Sequence, residues 1–347
     1  MVFWRVNLRE EYHVWTDGDG TDGKGRTDLR GEVMLQARGC VLRSFQCATL
    51  NRARKAGGQL SKGSRRDSAV RRATTGMVDF DAENTRLYVG MAEKHRHERG
   101  PWTLMVGEIK ALQLKEGSRV LDLASGQGEP ASSMALAMPD VRVTSTDVSP
   151  DMAIIAAKQA DKIPNLDSAI VDMMDLSMFP DASFDAVTVC YGYMFPSDKE
   201  KALKETFRVL KPGGTLVSTH WEEMSMMKVN KELLTRLIGT TPPPPPINPL
   251  SLCEDGAFRK LAEGAGLEYI KEQRSTYPFS FGTDRVEQYK MGTLTTRPII
   301  EQHGGMEKAM PLWHQLVDEM GGVRTADGDL VFDGNRFCMV VLRKPKA

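Results

Sequence analysis

Apolar positions in this chain change period repeatedly between Met77 and Trp221. Short apolar runs at Arg119–Leu123, Val141–Thr146, Ser168–Val171, Phe184–Cys190 and Gly214–Thr219 have the length of buried strands. Helical signals lie between them. Ser149-Pro150-Asp151 offers an N-cap, a proline at the first helical position and a first-turn acid. Ser197-x-x-Glu200 reads as a capping box, followed by Leu203, Phe207 and Leu210 at i, i+4 and i+7. That helix must stop at Lys211-Pro212-Gly213-Gly214. Two helices, Val78–His97 and Trp102–Leu114, are predicted ahead of the first strand. Two strands, Leu267–Thr276 and Phe337–Arg343, follow the fifth, with a mostly helical insertion (Asp284–Met320) between them. Strand–helix alternation of this kind predicts a parallel sheet. The expected fold is α/β: a doubly wound, Rossmann-like, seven-stranded, mostly parallel sheet with helices on both faces and a helical cap.

Composition changes the picture mainly at the N-terminus. The 347 residues are 41% hydrophobic and 27% charged, an ordinary globular balance with zero formal net charge. Zero net charge gives no global field towards nucleic acid or an anionic membrane. No apolar run approaches the roughly 20 residues that span a bilayer, so no stable membrane insertion is expected. The five cysteines form no CxxC pair or His/Cys cluster, and no metal site is expected. From Val33 to Arg66 there is no acid, while arginines and lysines recur among small and hydroxylated residues. That composition matches an organelle transit peptide, mitochondrial in the first instance, with translation starting at Met34; cytoplasmic and plastid locations are the alternatives. Residues 1–75 are therefore set apart as a basic extension. Residues 76–347 are read as one domain, with a cap insertion at about 284–320. Pro242 to Pro246 read as a stiff surface loop.

The chemistry concentrates after the first strand. Val120-Leu121-Asp122-Leu123-Ala124-Ser125-Gly126-Gln127-Gly128 runs a strand into a glycine-rich turn that opens a helix. Gly126 and Gly128 let backbone approach a ligand, and the helix N-terminus behind them favours a carboxylate. Asp147, at the end of the second strand, is placed to bind both hydroxyls of a ribose at the switch point of the sheet. Asp172-Met173 follows the third strand, and Arg208-Val209-Leu210-Lys211-Pro212-Gly213-Gly214 precedes the fifth.

These elements, in this order, resemble the motifs of class I S-adenosylmethionine (SAM)-dependent methyltransferases. The family's D-x-G-x-G-x-G is kept except that Ala124 stands at the first glycine. The resemblance implies SAM as cofactor. It implies cofactor contacts at Tyr88, Asp122, Ala124, Gly126, Gln127, Gly128, Asp147, Val148, Met152, Asp172, Met173 and Cys190. Asp122 either receives the methionine ammonium or structures the loop. Asp172 would face the adenine amino group. Cys190 reads as a small packing residue below the ligand.

Methyl transfer from a sulfonium needs an acceptor held in line and water kept out; a base is needed only where the nucleophile must lose a proton. Acceptor groups are expected at the C-terminal ends of strands four and five. His220 and Tyr191 are the candidates for catalysis, and Tyr193 and Trp221 for substrate contact. Met224, Met226 and Met227 are candidates for an apolar lid, and Tyr277 and Arg297 for reach into the site. The partner expected is a small-molecule acceptor and no nucleic acid; the oligomeric state is not readable. Cys190–Phe195 and Leu210–Gly214 resemble the ubiquinone/menaquinone-methyltransferase-like (methyltransferase type 11) branch in the broad sense, which makes a quinone or lipid C-methyltransferase the alternative. The long insertion favours another small molecule, such as a carboxylated amine or a thioether acid. A NAD(P)-dependent oxidoreductase is the further alternative, because Gly126-Gln127-Gly128-Glu129-Pro130-Ala131 also fits GxGxxA.

Overall fold

The computed structural model describes residues 82–242 and 248–346. The basic extension at 1–75, with its targeting reading, and most of the proline run lie outside the described residues. So do the first residues of the helix expected from Val78. All described residues belong to one compact unit, Gln59–Ala347.

Strands β1 (Arg119–Leu123), β2 (Arg142–Asp147), β3 (Leu166–Ile170), β4 (Phe184–Cys190), β5 (Leu210–Glu223), β6 (Glu268–Thr276) and β10 (Arg336–Arg343) form one sheet in the order β3-β2-β1-β4-β5-β10-β6. The first five are mutually parallel, and β10 runs antiparallel between β5 and β6. This is the seven-stranded class I methyltransferase fold that the motifs imply. Strand order reverses between β1 and β4, so the open crevice of the sheet lies at the carboxyl ends of those strands.

Helices α1 (Ala82–Ala92), α2 (Pro101–Ala111), α3 (Ala131–Ala137), α4 (Pro150–Ala160), α5 (Lys199–Val209), α6 (Ser225–Ile238) and α7 (Ala257–Gly264) connect the strands. The long helix expected through His97 ends at Ala92, and one 3-10 turn (Glu93–Arg96) carries the chain on. Ser149 caps α4 as expected, its hydroxyl accepting from the Met152 amide. The capping box at Ser197 is not formed. Asp198 is the N-cap of α5 and accepts from the Lys201 amide at 2.9 Å, because a carboxylate one residue later already meets the first free N–H groups.

The Arg-x-Leu-Lys-Pro-Gly-Gly segment is a fastening. Arg208 donates to the carbonyls of Leu176 and Phe179 at 2.8 and 2.9 Å. Lys211 pairs with Asp185 at 2.7 Å. The Lys344 ammonium caps α5 through the carbonyls of Phe207 and Leu210, each at 2.8 Å.

The insertion holds helices α8 (Arg285–Gly292), α9 (Arg297–Gln302) and α10 (Gly305–Glu319). It is flanked by a three-stranded antiparallel sheet that periodicity does not reveal: β7 (Phe279–Ser280), β9 (Leu330–Phe332) and β8 (Gly322–Arg324). Helix α10 packs along α6, with Trp313 fully buried. A Cβ on Gly292 would sit 2.3 Å from the Trp313 ring, so only glycine fits there. Among the described residues, no helix is long and apolar enough to cross a membrane.

Candidate active site

The glycine turn is built on Asp122. Its carboxylate is fully buried: Oδ1 accepts from the Thr188 hydroxyl and Oδ2 from the Ser125 hydroxyl, both at 2.5 Å. Burial raises its pKa to about 7, against the pull of the two hydroxyl bonds. Asp122 thus ties β1, β4 and the turn together.

Beyond it the chain enters left-handed backbone three times, at Ala124 (φ 54), Gly126 (φ 55) and Gly128 (φ 98). Glycine does this freely; alanine at 124 does it at a cost of about 1 kcal/mol. A Cβ on Gly128 would lie 3.1 Å from the Cα of Ala156, so the turn and α4 touch backbone to backbone. Asp147 holds the turn from the side: Oδ2 accepts from the Gly126 amide at 2.9 Å and Oδ1 from the Ser149 amide at 2.8 Å. Burial raises its pKa. Met152 is buried beside it and Val148 is exposed.

The helix N-terminus behind the turn differs from expectation. Glu129 fills it, its Oε2 accepting from the Ser133 amide at 3.2 Å and its Oε1 from Arg96 at 2.5 Å. A ligand carboxylate therefore does not find that N-terminus free, because the chain supplies its own. Gln127 instead offers an open valence: its Nε2 donates to Glu93 at 2.6 Å, while its buried Oε1 has no hydrogen-bond partner.

Further along the strand ends, Asp172 accepts from the Met174 amide at 2.8 Å. The Met173 methyl stands 3.2 Å from where a Cβ on Gly192 would be. Cys190 ends β4 with its thiol pKa pushed up by burial, so it is no nucleophile. The Tyr88 ring comes within 3.9 Å of the Cβ position of Gly126, over the turn. These cofactor candidates gather at the carboxyl ends of β1, β2, β3 and β4. The turn at Gly126, the acid at Asp147 and the unpartnered Gln127 oxygen suit the backbone, ribose and ammonium of SAM.

Next to this edge opens an apolar pocket. Tyr88, Tyr191, Trp221 and the three expected methionines Met224, Met226 and Met227 line it. Tyr191 and Trp221 stack face to face, centroids 4.1 Å apart and 6° from parallel. Tyr191 has φ 52, a strained value for a bulky residue. Its hydroxyl is buried next to that of Tyr277, and burial holds its pKa well above the usual phenol range.

Two expected site residues lie elsewhere. His220 neighbours Trp221 on β5, and alternation sends its side chain to the opposite face. There it packs 5.4 Å from Phe258 of α7, with burial lowering its pKa to about 4. Tyr193 lies on that face too: its hydroxyl pairs with Thr206 of α5 at 2.7 Å and its ring packs on Phe258. His220, Glu222 and Cys338 bring possible ligand atoms within 4.8 Å of one another, but Glu222 is held by Arg274 and Arg336, each at 2.8 Å. Arg297 is tied to the Lys290 carbonyl and does not line the pocket.

Sequence reasoning missed a histidine of the pocket wall, His95. His95 lines the pocket, is 5% exposed, and shares a 2.6 Å hydrogen bond between Nδ1 and the Tyr277 hydroxyl. Tyr88, Met91 and His95 recur at i, i+3 and i+7, the spacing of one face of the helix expected through His97, a signal present in the sequence. Phe279 and Phe281 line the other wall two residues apart, a second such signal, while Tyr277, two residues before Phe279, does not line the pocket and packs against His95. Asn230 is also new: its Nδ2 donates to the Gly292 carbonyl at 2.7 Å, and its buried Oδ1 has no partner.

With this geometry in view, residues 120–214 match the family model described as a methyltransferase domain. The chain is similar to demethylmenaquinone methyltransferase of Thermus thermophilus: 40% identical over 104 residues, which are 30% of this chain and 47% of that protein. It is similar to the ubiquinone/menaquinone biosynthesis C-methyltransferase of Cronobacter sakazakii at 27% identity, over 55% of this chain and 75% of that one. Among solved structures, the YcgJ protein of Bacillus subtilis aligns at 20% identity with a TM-score of 0.48, covering 73% of this chain and all of that one. The chain spans about half the length of the curated relatives it matches first.

Proposed function

We propose that this chain, built around the methyltransferase domain of residues 120–214, transfers the SAM methyl group to a small, apolar acceptor held between Tyr88, Tyr191 and Trp221. One observation carries the acceptor class. Among the described residues that line the pocket there is no Lys, Arg, Asp or Glu. A carboxylated amine or a thioether acid would bury its carboxylate unpaired there, at a cost of several kcal/mol. A flat, hydroxylated aromatic meets the rings and methionines through its body. Its polar groups meet the Tyr191 phenol and the unpartnered Asn230 oxygen. The quinone C-methyltransferase reading follows from the same feature, and the names of the relatives agree with it.

The residues divide the work. The Gly126 turn and Asp147 hold the nucleoside side of SAM, and Gln127 accepts from its ammonium. SAM supplies an activated methyl on a sulfonium. Tyr88 and Tyr191 stand between turn and pocket and fix the line along which the acceptor approaches. The apolar walls exclude water. The test is tritium transfer from labelled SAM by the full chain, offered a prenylated 1,4-naphthohydroquinone and, separately, a carboxylated amine. Label in the organic phase with the hydroquinone supports the reading; label only in the aqueous phase with the amine overturns it.

A further inference from the structure

We propose that His95 takes the proton that the acceptor gives up as the methyl group arrives, with Tyr277 as the positioning residue that holds its ring. The inference rests on the methyltransferase reading of the same pocket. Among the described residues, three titratable side chains line that pocket: Tyr88, Tyr191 and His95. The two phenols stay protonated, because burial raises both pKa values. They can donate but not receive. Of the three, His95 is the one whose neutral form can take a proton, and burial keeps it neutral at ordinary pH.

The ring is held on all sides. Trp102, Tyr191, Tyr277 and Phe279 surround it with centroids 5.3 to 5.8 Å away, and Trp221 stands at 6.3 Å. One nitrogen, Nδ1, is spent on Tyr277. We assign the shared hydrogen to Nδ1, with the Tyr277 oxygen accepting, so that Nε2 carries the lone pair.

The step balances. An electron pair on the acceptor atom forms the bond to the methyl carbon. The carbon–sulfur bond breaks and its pair stays on sulfur as a neutral thioether. The acceptor's proton moves to Nε2, and the imidazolium later returns it to water. One positive charge enters the pocket on sulfur and one is left on imidazole, so the buried site never holds two. A weakly basic, desolvated histidine suffices because the sulfonium disappears as the imidazolium forms.

The experiment compares the full-length wild type with His95→Gln, His95→Asn and Tyr277→Phe. SAM affinity is read by calorimetry, and kcat and KM by tritium transfer to the prenylated naphthohydroquinone, whose reacting carbon carries a hydrogen. General-base loss predicts a kcat about 100-fold or more lower in either His95 variant, with SAM affinity kept. Tyr277→Phe should lower kcat by a smaller factor and leave KM unchanged. Adding imidazole should restore part of the rate in His95→Asn, which a purely structural histidine would not show. Unchanged kcat in a variant that still binds SAM overturns the proposal, as does a loss confined to KM. A wild type that binds SAM but leaves this probe unlabelled also overturns it. A wild type that binds no SAM defeats the methyltransferase reading itself, before any variant is made.

Discussion

The turn between β1 and α3 and the pocket beneath the cap are neighbours built on opposite terms. In the turn, polar atoms are largely matched inside the chain: Asp122 with Ser125 and Thr188, Asp147 with Gly126 and Ser149. In the pocket, the Asn230 side-chain oxygen is buried without a partner. A matched site keeps its shape before any ligand arrives. An unmatched one carries a desolvation cost that a guest's polar groups can relieve. The cofactor side is thus preorganised, while the acceptor side is completed by what it binds.

The strongest test of that preorganisation is the acid at its centre. The folded state raises the Asp122 pKa from 3.8 to about 7, so folding favours its protonated form. Its contribution is full below pH 4 and is lost as pH rises through 7. At about 1.4 kcal/mol per pKa unit, the loss is on the order of 4 kcal/mol. Asp122→Asn should remove this slope. Denaturant unfolding of wild type and variant at pH 4 and pH 8 gives the difference. Parallel curves would mean that Asp122 is not the strained centre of the turn.

Asp147 is the second. Its two oxygens hold the turn and, in the proposed complex, the ribose. Asp147→Ala should weaken SAM binding by about 2–3 kcal/mol, or roughly 30- to 150-fold, the range for hydrogen bonds to a charged group. Calorimetric affinity within about threefold of wild type would remove Asp147 from the cofactor site.

How much was legible follows the same division. The turn, Asp147 and Asp172-Met173 lie in short, continuous segments, each beside a strand that its own apolar run predicts. The pocket draws on residues from Tyr88 to Asn335, and no local period joins them. The two-residue β7 is too short to carry a period at all. Strand parity separates two of the candidates. His220 and Trp221 are adjacent on one strand, so only one of them can face the acceptor. Lengths misled as well: β5 runs from Leu210 to Glu223 because the Pro-Gly-Gly segment is taken up as a register shift against β4 rather than ending the pairing.

Ala124 gives a smaller effect on the cofactor side. Its φ of 54 belongs to glycine, the residue the family motif has there. Ala124→Gly should relieve about 1 kcal/mol of strain, offset in part by the extra freedom of the unfolded chain. A net gain of about 0.5 kcal/mol and a slightly higher Tm are expected. A loss of stability would show that the Ala124 methyl, 3.0 Å from the Cβ position of Gly192, is worth more as packing than it costs as strain.

The smallest effect belongs to His220, and its smallness is informative. It sits one residue from Trp221 yet faces α7, away from the pocket. His220→Gln should therefore leave kcat and KM within about twofold of wild type, the range of substitutions away from the chemistry. Its effect belongs in acid stability instead. Folding lowers the His220 pKa from 6.5 to about 4, so its contribution is present above pH 6.5 and is lost as pH falls towards 4. The variant should lose less stability than wild type over that interval, whereas a fall in kcat at constant stability would return His220 to the active site and open the face of β5 on which it lies.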